Sequence, residues 1–200
     1  MDIKKTANLF ANFTLKRIAE IFGITVFGAG ILLLLALLTY SPEDPNFIFP
    51  ENTKIENILG FHGSFVSDIF FQSMGLISYL FSFTLIVTGI NIIRTKEFFL
   101  IIENIFFATI YSIMGTLFFA HFYSEAFTLY INGNGGFIGG YLNQTFLNSI
   151  ILINEVIFYY LLIILNFFLF LISVNFHPIK FYELLKSLNK FFTKKERKNY

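Results

Sequence analysis

Cysteine and tryptophan are absent from this 200-residue chain, proline occurs four times, and charged residues make up only 14%. Without cysteine there is no disulfide framework, no thiolate-held zinc and no thiol nucleophile. So little charge does not cover a soluble surface, since water-soluble domains carry about 25% charged residues. Also missing are G-x-x-x-x-G-K-[ST], G-x-S-x-G and H-E-x-x-H, the marks of a phosphate cradle, a hydrolase nucleophile elbow and a zinc protease helix. His62, His121 and His177 have no partner at metal-ligand spacing and read as polar residues near a membrane interface. The expectation is a chain that is not an enzyme, with no catalytic residue, no metal site and no cofactor.

What is present in quantity is grease. The chain is 56% hydrophobic, with thirty phenylalanines and a mean hydropathy of +0.69. A span of about 30 Å of hydrocarbon needs about 20 mostly apolar residues. Four windows meet this: Ile18 to Tyr40, Phe65 to Ile93, Phe98 to Tyr123 and Ile150 to Val174. Glu20, Asp68, Glu103 and Glu155 lie near window ends, where a charge reaches the head groups; at mid-span each costs about 2.5–3.5 kcal/mol. The deep positions read as Leu, Ile, Phe, Gly and Ser, which argues against a transporter. Asn91, Asn154 and Asn166 are candidates for hydrogen bonds between helices.

Lysine and arginine set the direction. Of fourteen basic residues only Lys54 falls in a loop on one side; the other thirteen lie before span one, between spans two and three, or after span four. The positive-inside rule then makes both termini cytoplasmic and sends loops 41–64 and 124–149 outward. The first span is too long, and lacks an A-x-A-like site, for a cleaved signal peptide. It reads as a retained anchor.

The first span ends in LLTYSPEDPNF, Leu37 to Phe47. Pro42 biases Ser41 away from the helix and Pro45 blocks re-entry, with Glu43 and Asp44 expected in water. In NGNGGFIGG (132–140), Gly135/Gly139 and Gly136/Gly140 have the small-xxx-small spacing of close helix packing; a flexible loop fits as well. Ala19 and Gly23, and Ser112 and Thr116, repeat that spacing inside spans. The chain thus divides into a four-span membrane domain, 1–176, and a basic juxtamembrane segment, 177–200. In that segment Phe181, Leu184, Leu185, Leu188 and Phe192 recur at helical spacing opposite lysines, as in an amphipathic helix on an anionic membrane surface. The fold class expected is all-α and integral to the membrane.

Read in order, SPEDPNF (41–47), NILGFHG (57–63) and SDIFFQSMGLISYL (67–80) resemble the N-terminal four-helix membrane domain of the FtsK/SpoIIIE DNA translocases. In that family the first span ends in Tyr/Phe-Ser-x-x-Asp-Pro. An Asn-x-x-Gly-x-x-Gly stretch follows, and an Ala-Asp-Leu-like start of the second span leads to Phe-Gly and Tyr-Leu. The matching positions are Tyr40, Ser41, Asp44, Pro45, Asn57, Gly60, Gly63, Asp68, Gln72, Gly75, Tyr79 and Leu80. Ser67 departs from the usual Ala, Met74-Gly75 from Phe-Gly. The sequence ends at Tyr200 without the family's linker and its motor, which carries Walker motifs and a DNA-reading winged helix. The resemblance implies a multi-pass inner-membrane anchor at the division septum of a bacterium, linking chromosome partition to cell division. Its partners would be the lipid bilayer, further copies of itself and other division proteins. DNA and ATP would be reached only through the motor. A small transporter or channel subunit, and an unrelated envelope scaffold, are the alternatives.

Overall fold

The computed structural model describes residues 3–45, 54–124, 132–178 and 186, with side chains from residue 8 onward. The amphipathic segment expected after residue 177 lies outside the described residues, apart from its first two positions and residue 186. Everything regular among the described residues is helical: α1 Ile3–Leu38, α2 Gly60–Met74, a 3₁₀ turn Gly75–Ile77, α3 Ser78–Thr95, α4 Leu100–Phe122, α5 Gly136–Asn143, α6 Phe146–Ile153 and α7 Glu155–Ser173. Four helical stretches are long and apolar enough to cross a membrane: Asn8–Leu38, Gly60–Thr95, Leu100–Phe122 and Glu155–Ser173.

Three of these differ from the windows read in the sequence, each for a local reason. Nothing before Lys16 breaks a helix, so α1 starts at Ile3 and reaches 36 residues, about 54 Å at 1.5 Å per residue. The second span is two helices, because Gly75 takes φ +60° and ψ −142°, a conformation that only glycine adopts without strain. The fourth span begins at Glu155. Asn154 leaves the helical region and its Oδ1 accepts from Ile157 N at 3.2 Å, while Glu155 adds an acid to the first turn, where the helix dipole favours one. Asn154 is therefore a cap within its own segment, and among the described residues its side chain makes no bond to another span.

Small residues decide which helices touch. α1 lies along α3, with Ala19 fully buried. A Cβ on Gly23 would meet the Gly89 carbonyl at 3.0 Å, and one on Gly89 would run into the backbone of Phe27. In a bilayer this close fit supplies the attraction that water exclusion supplies in a soluble core. α4 lies between α3, α5 and α7. Gly135 and Gly139 press against the Thr116 carbonyl and Ala120 of α4, whereas Gly140 faces open space. The glycine run is thus the start of a packed helix, through one of its two spaced pairs. Ser112 and Thr116 are buried, and Ala19, Gly23, Ser112 and Thr116 all pack within the chain.

The interior is more polar than the sequence reading held. Thr84 Oγ1 lies 2.9 Å from Tyr111 OH and 3.2 Å from Ser173 Oγ. Asn104 donates to Thr88 Oγ1 at 2.8 Å and accepts from Asn175 Nδ2 at 2.8 Å, joining α3, α4 and the end of α7. Asn91 does bond across elements, to the Val174 carbonyl at 3.2 Å. Among the described residues Asn166 bonds only the Leu162 carbonyl of its own helix, at 2.8 Å. These groups are hydroxyls and amides, which cost far less in hydrocarbon than charges once they are bonded to one another.

The two ends of the bundle differ. At one end, Glu20 of α1 pairs with Arg17 and with Lys96, the left-handed residue that closes α3. The α1 segment before Glu20 extends about 25 Å beyond that pair. At the opposite end, α5 packs against α2 and the 3₁₀ turn at Gly75.

Candidate functional site

The last carbonyls of α1 have no partners within the helix. Asn57 satisfies them: its Nδ2 donates to the carbonyls of Ala36 at 2.9 Å and Thr39 at 3.2 Å. Asn57 itself is held by Asp44, whose carboxylate accepts from the backbone N–H of Glu56 at 2.7 Å and of Asn57 at 2.9 Å. The turn Ser41–Pro42–Glu43–Asp44, closed by Asp44 N to the Ser41 carbonyl at 3.2 Å, aims that carboxylate inward. Asp44 is 1% exposed. The expectation of a solvated Asp44 is therefore corrected: two backbone donors replace water around the charge.

The same loop locks onto α2. Ser64 Oγ donates to the Pro45 carbonyl at 3.1 Å, and Pro45 is buried with it. Asn57 Oδ1 accepts from Leu59 N at 3.1 Å, and Gly60, at φ +64°, opens α2. A Cβ on Gly63 would run into the Asn57 amide, so only glycine admits the clamp there.

One turn further, Asp68 is 7% exposed and does not reach out to head groups as expected. Its Oδ1 accepts from Tyr40 OH at 3.2 Å and from Gln72 Nε2 at 3.4 Å. Burial first, and then the Asp68 charge, push the Tyr40 phenol up to about 12, so it stays neutral and donates. Gln72 passes the network on: Asn132 Nδ2 donates to its carbonyl at 3.2 Å and Asn132 N to its Oε1 at 3.3 Å. The break at Gly75 exposes Leu76 N, which donates to the Asn134 carbonyl at 3.0 Å. A Cβ on Gly75 would collide with that carbonyl. Tyr79 OH donates to the Leu37 carbonyl at 3.2 Å. Beneath these bonds the rings of Tyr40, Phe71 and Tyr79 pack in a row, the first pair tilted and the second edge-on, with centroids 4.8 and 5.5 Å apart, over Leu33 and Leu37.

The arrangement holds shape. Each carboxylate in it is occupied by donors from the chain itself, and among the described residues no three acids or histidines stand close enough to hold a metal. The positions that share one region here are Tyr40, Ser41, Asp44, Pro45, Asn57, Gly60, Gly63, Asp68, Gln72, Gly75 and Tyr79. They are eleven of the twelve positions whose order in the sequence carried the resemblance; the twelfth, Leu80, packs against the cluster of Ile77, Ala108 and Tyr111. The chain matches the family described as the 4TM region of DNA translocase FtsK/SpoIIIE over residues 15–186. It belongs to that family.

Two relatives are each called DNA translocase FtsK. The one from Rhizobium meliloti (strain 1021) is 29% identical over 98 residues, 49% of this chain and 11% of that protein. The one from Caulobacter vibrioides (strain ATCC 19089 / CIP 103742 / CB 15) is 39% identical over 68 residues, 34% of this chain and 8% of that protein. The chain thus aligns with about a tenth of the length of these relatives. No solved structure matches it. The four apolar helices and the family together make it a multi-pass membrane domain of the FtsK/SpoIIIE type.

Sequence reasoning missed the partners of the family positions. Ala36 and Leu37 enter the network through their carbonyls, which their apolar side chains do not announce. Thr39 Oγ1 accepts from Ile58 N at 3.3 Å while donating to the Leu35 carbonyl at 2.8 Å. Asn132 and Asn134 stood in the NGNGG run noted only for its glycines. Two asparagines beside glycines are a turn signal, and it was available.

Proposed function

We propose that this chain is the septal membrane anchor of a DNA translocase, holding the motor where chromosome partition meets cell division. The observation that carries this reading is the family match over residues 15–186 together with eleven of the twelve family positions gathered in one hub. A hub that ties α1, α2, α3 and the segment before α5 fixes the first two spans to each other and to that outer segment. That is what a force-bearing anchor requires of its membrane part. ATP hydrolysis and DNA movement belong to a motor beyond this domain, which touches neither.

The anchor lies in the bacterial inner membrane with both termini cytoplasmic and the hub outside. The support is thirteen of fourteen basic residues on the terminal side, with Lys96 and Arg17 gathered at Glu20. Partners in division meet the hub face, where Ile58 and Phe61 stand exposed, and further copies meet it in the membrane.

A fluorescent protein fused after Tyr200 tests the reading. A band at mid-cell that forms with constriction supports a septal anchor; uniform membrane fluorescence from an intact fusion refutes septal targeting by this domain. In the cysteine-free chain, Lys54→Cys should react with an impermeant maleimide on intact cells and Glu97→Cys should not. The opposite pattern overturns the orientation.

A further inference from the structure

Between the last turns of α3, the start of α4 and the chain leaving α7 lies a cavity of about 700 Å³. Val87, Asn91 and Arg94 line it from α3 at i, i+4 and i+7, one face of the helix. Its wall therefore changes from apolar to amide to cationic toward the helix end. Glu97 and His177 complete the mouth. Thr95 ends the second span and Leu100 begins the third, so the mouth lies where head groups meet water.

The amides are already committed: Asn91 Nδ2 donates to the Val174 carbonyl at 3.2 Å, and Asn175 Nδ2 to Asn104 at 2.8 Å. His177 is fixed by its Nδ1 donating to the Asn175 carbonyl at 2.7 Å, which leaves Nε2 for another partner. The charges are not committed. Neither Arg94 nor Glu97 joins an ion pair among the described residues, although Lys96, between them in the sequence, pairs with Glu20. A guanidinium and a carboxylate three residues apart thus face one cavity, above an apolar wall.

We propose that this cavity binds the head group of an aminophospholipid. The phosphate sits on Arg94, whose planar fork matches it. The ammonium sits on Glu97, and the glycerol and acyl chains follow the Val87 face of α3 into the bilayer. Two unspent charges of opposite sign select a zwitterion with a primary amine, because a glycerol head group could set its phosphate on Arg94 but has no cation to pair with Glu97. The apolar wall selects an amphiphile over a soluble phosphoamine.

The test uses the full chain, purified and delipidated in detergent, with native mass spectrometry counting bound lipid. At equal concentrations, phosphatidylethanolamine should be retained over phosphatidylglycerol. Arg94→Gln should weaken that retention about tenfold, the loss of one charge-assisted contact. Glu97→Gln should abolish the preference while retaining binding, and Arg17→Gln, outside the cavity, should change neither. Arg94 and Glu97 are exposed, so unchanged melting of the variants separates lost binding from lost fold. Equal retention by wild type and Arg94→Gln, or no preference in the wild type, overturns the proposal. Displacement of the lipid by millimolar O-phosphoethanolamine would make the ligand a soluble phosphoamine and overturn the lipid assignment.

Discussion

Replacing Asp44 by Asn removes one charge and keeps the size of the side chain, which makes it the sharpest probe of the hub. The carboxylate receives Glu56 N on one oxygen and Asn57 N on the other, at 2.7 and 2.9 Å. An amide offers one oxygen and one N–H₂, so one backbone donor loses its acceptor and faces another donor instead. Hydrogen bonds to charged groups contribute about 1.5–3 kcal/mol and a buried orphaned donor costs about 1–3 kcal/mol. The sum for Asp44→Asn is on the order of 3–5 kcal/mol. Asp44→Ala, which orphans both donors, should cost as much or slightly more. Unfolding by sodium dodecyl sulfate in mixed micelles, followed by far-ultraviolet circular dichroism, measures both against wild type. Glu56→Gln, next in the loop with an exposed side chain, is the control and should stay within about 0.5 kcal/mol. If Asp44→Asn also stays within that range, Asp44 is a solvated charge and the account of the hub is wrong.

Other consequences can be checked in the same assay. Gly60 and Gly75 share a positive φ, yet a Cβ at Gly60 meets nothing within 4 Å while one at Gly75 meets the Asn134 backbone. Gly60→Ala should therefore cost only backbone strain, about 1–2 kcal/mol, and Gly75→Ala clearly more; equal costs would refute the close approach. The Tyr40 phenol is raised to about 12, so its neutral form is favoured in the folded state. The stability it contributes is complete below pH 10, the phenol's ordinary value, and lost as pH rises from about 10 to 12. The wild-type midpoint should fall more steeply through that window than that of Tyr40→Phe, and parallel curves would contradict it. Asn104→Leu removes two bonds among α3, α4 and the end of α7, at about 0.6–1.7 kcal/mol each. A variant as stable as wild type would show that this ladder contributes nothing in the membrane.

The four spans were legible in the sequence because the bilayer imposes a length and a composition that single segments meet by themselves. So was the family, since its signature is a local order of Ser, Asp, Pro, Asn and Gly. Proline positions announced that the chain turns after Leu38, because proline restricts its own backbone and that of the residue before it.

What Asp44 does there was decided only in three dimensions. A carboxylate between two prolines reads as a solvated charge until the backbone thirteen residues on folds over it. Asp68 near a span's edge reads as a head-group contact until Tyr40, twenty-eight residues before it, donates to it. The break at Gly75 is not marked in hydropathy, because it falls inside one long apolar stretch. It becomes meaningful when the Asn134 carbonyl arrives from the far side of α4. Hydrophobicity, a property of each residue alone, set where the chain crosses the membrane. Hydrogen bonding joins residues far apart in the chain, and only the packed bundle chose the partners.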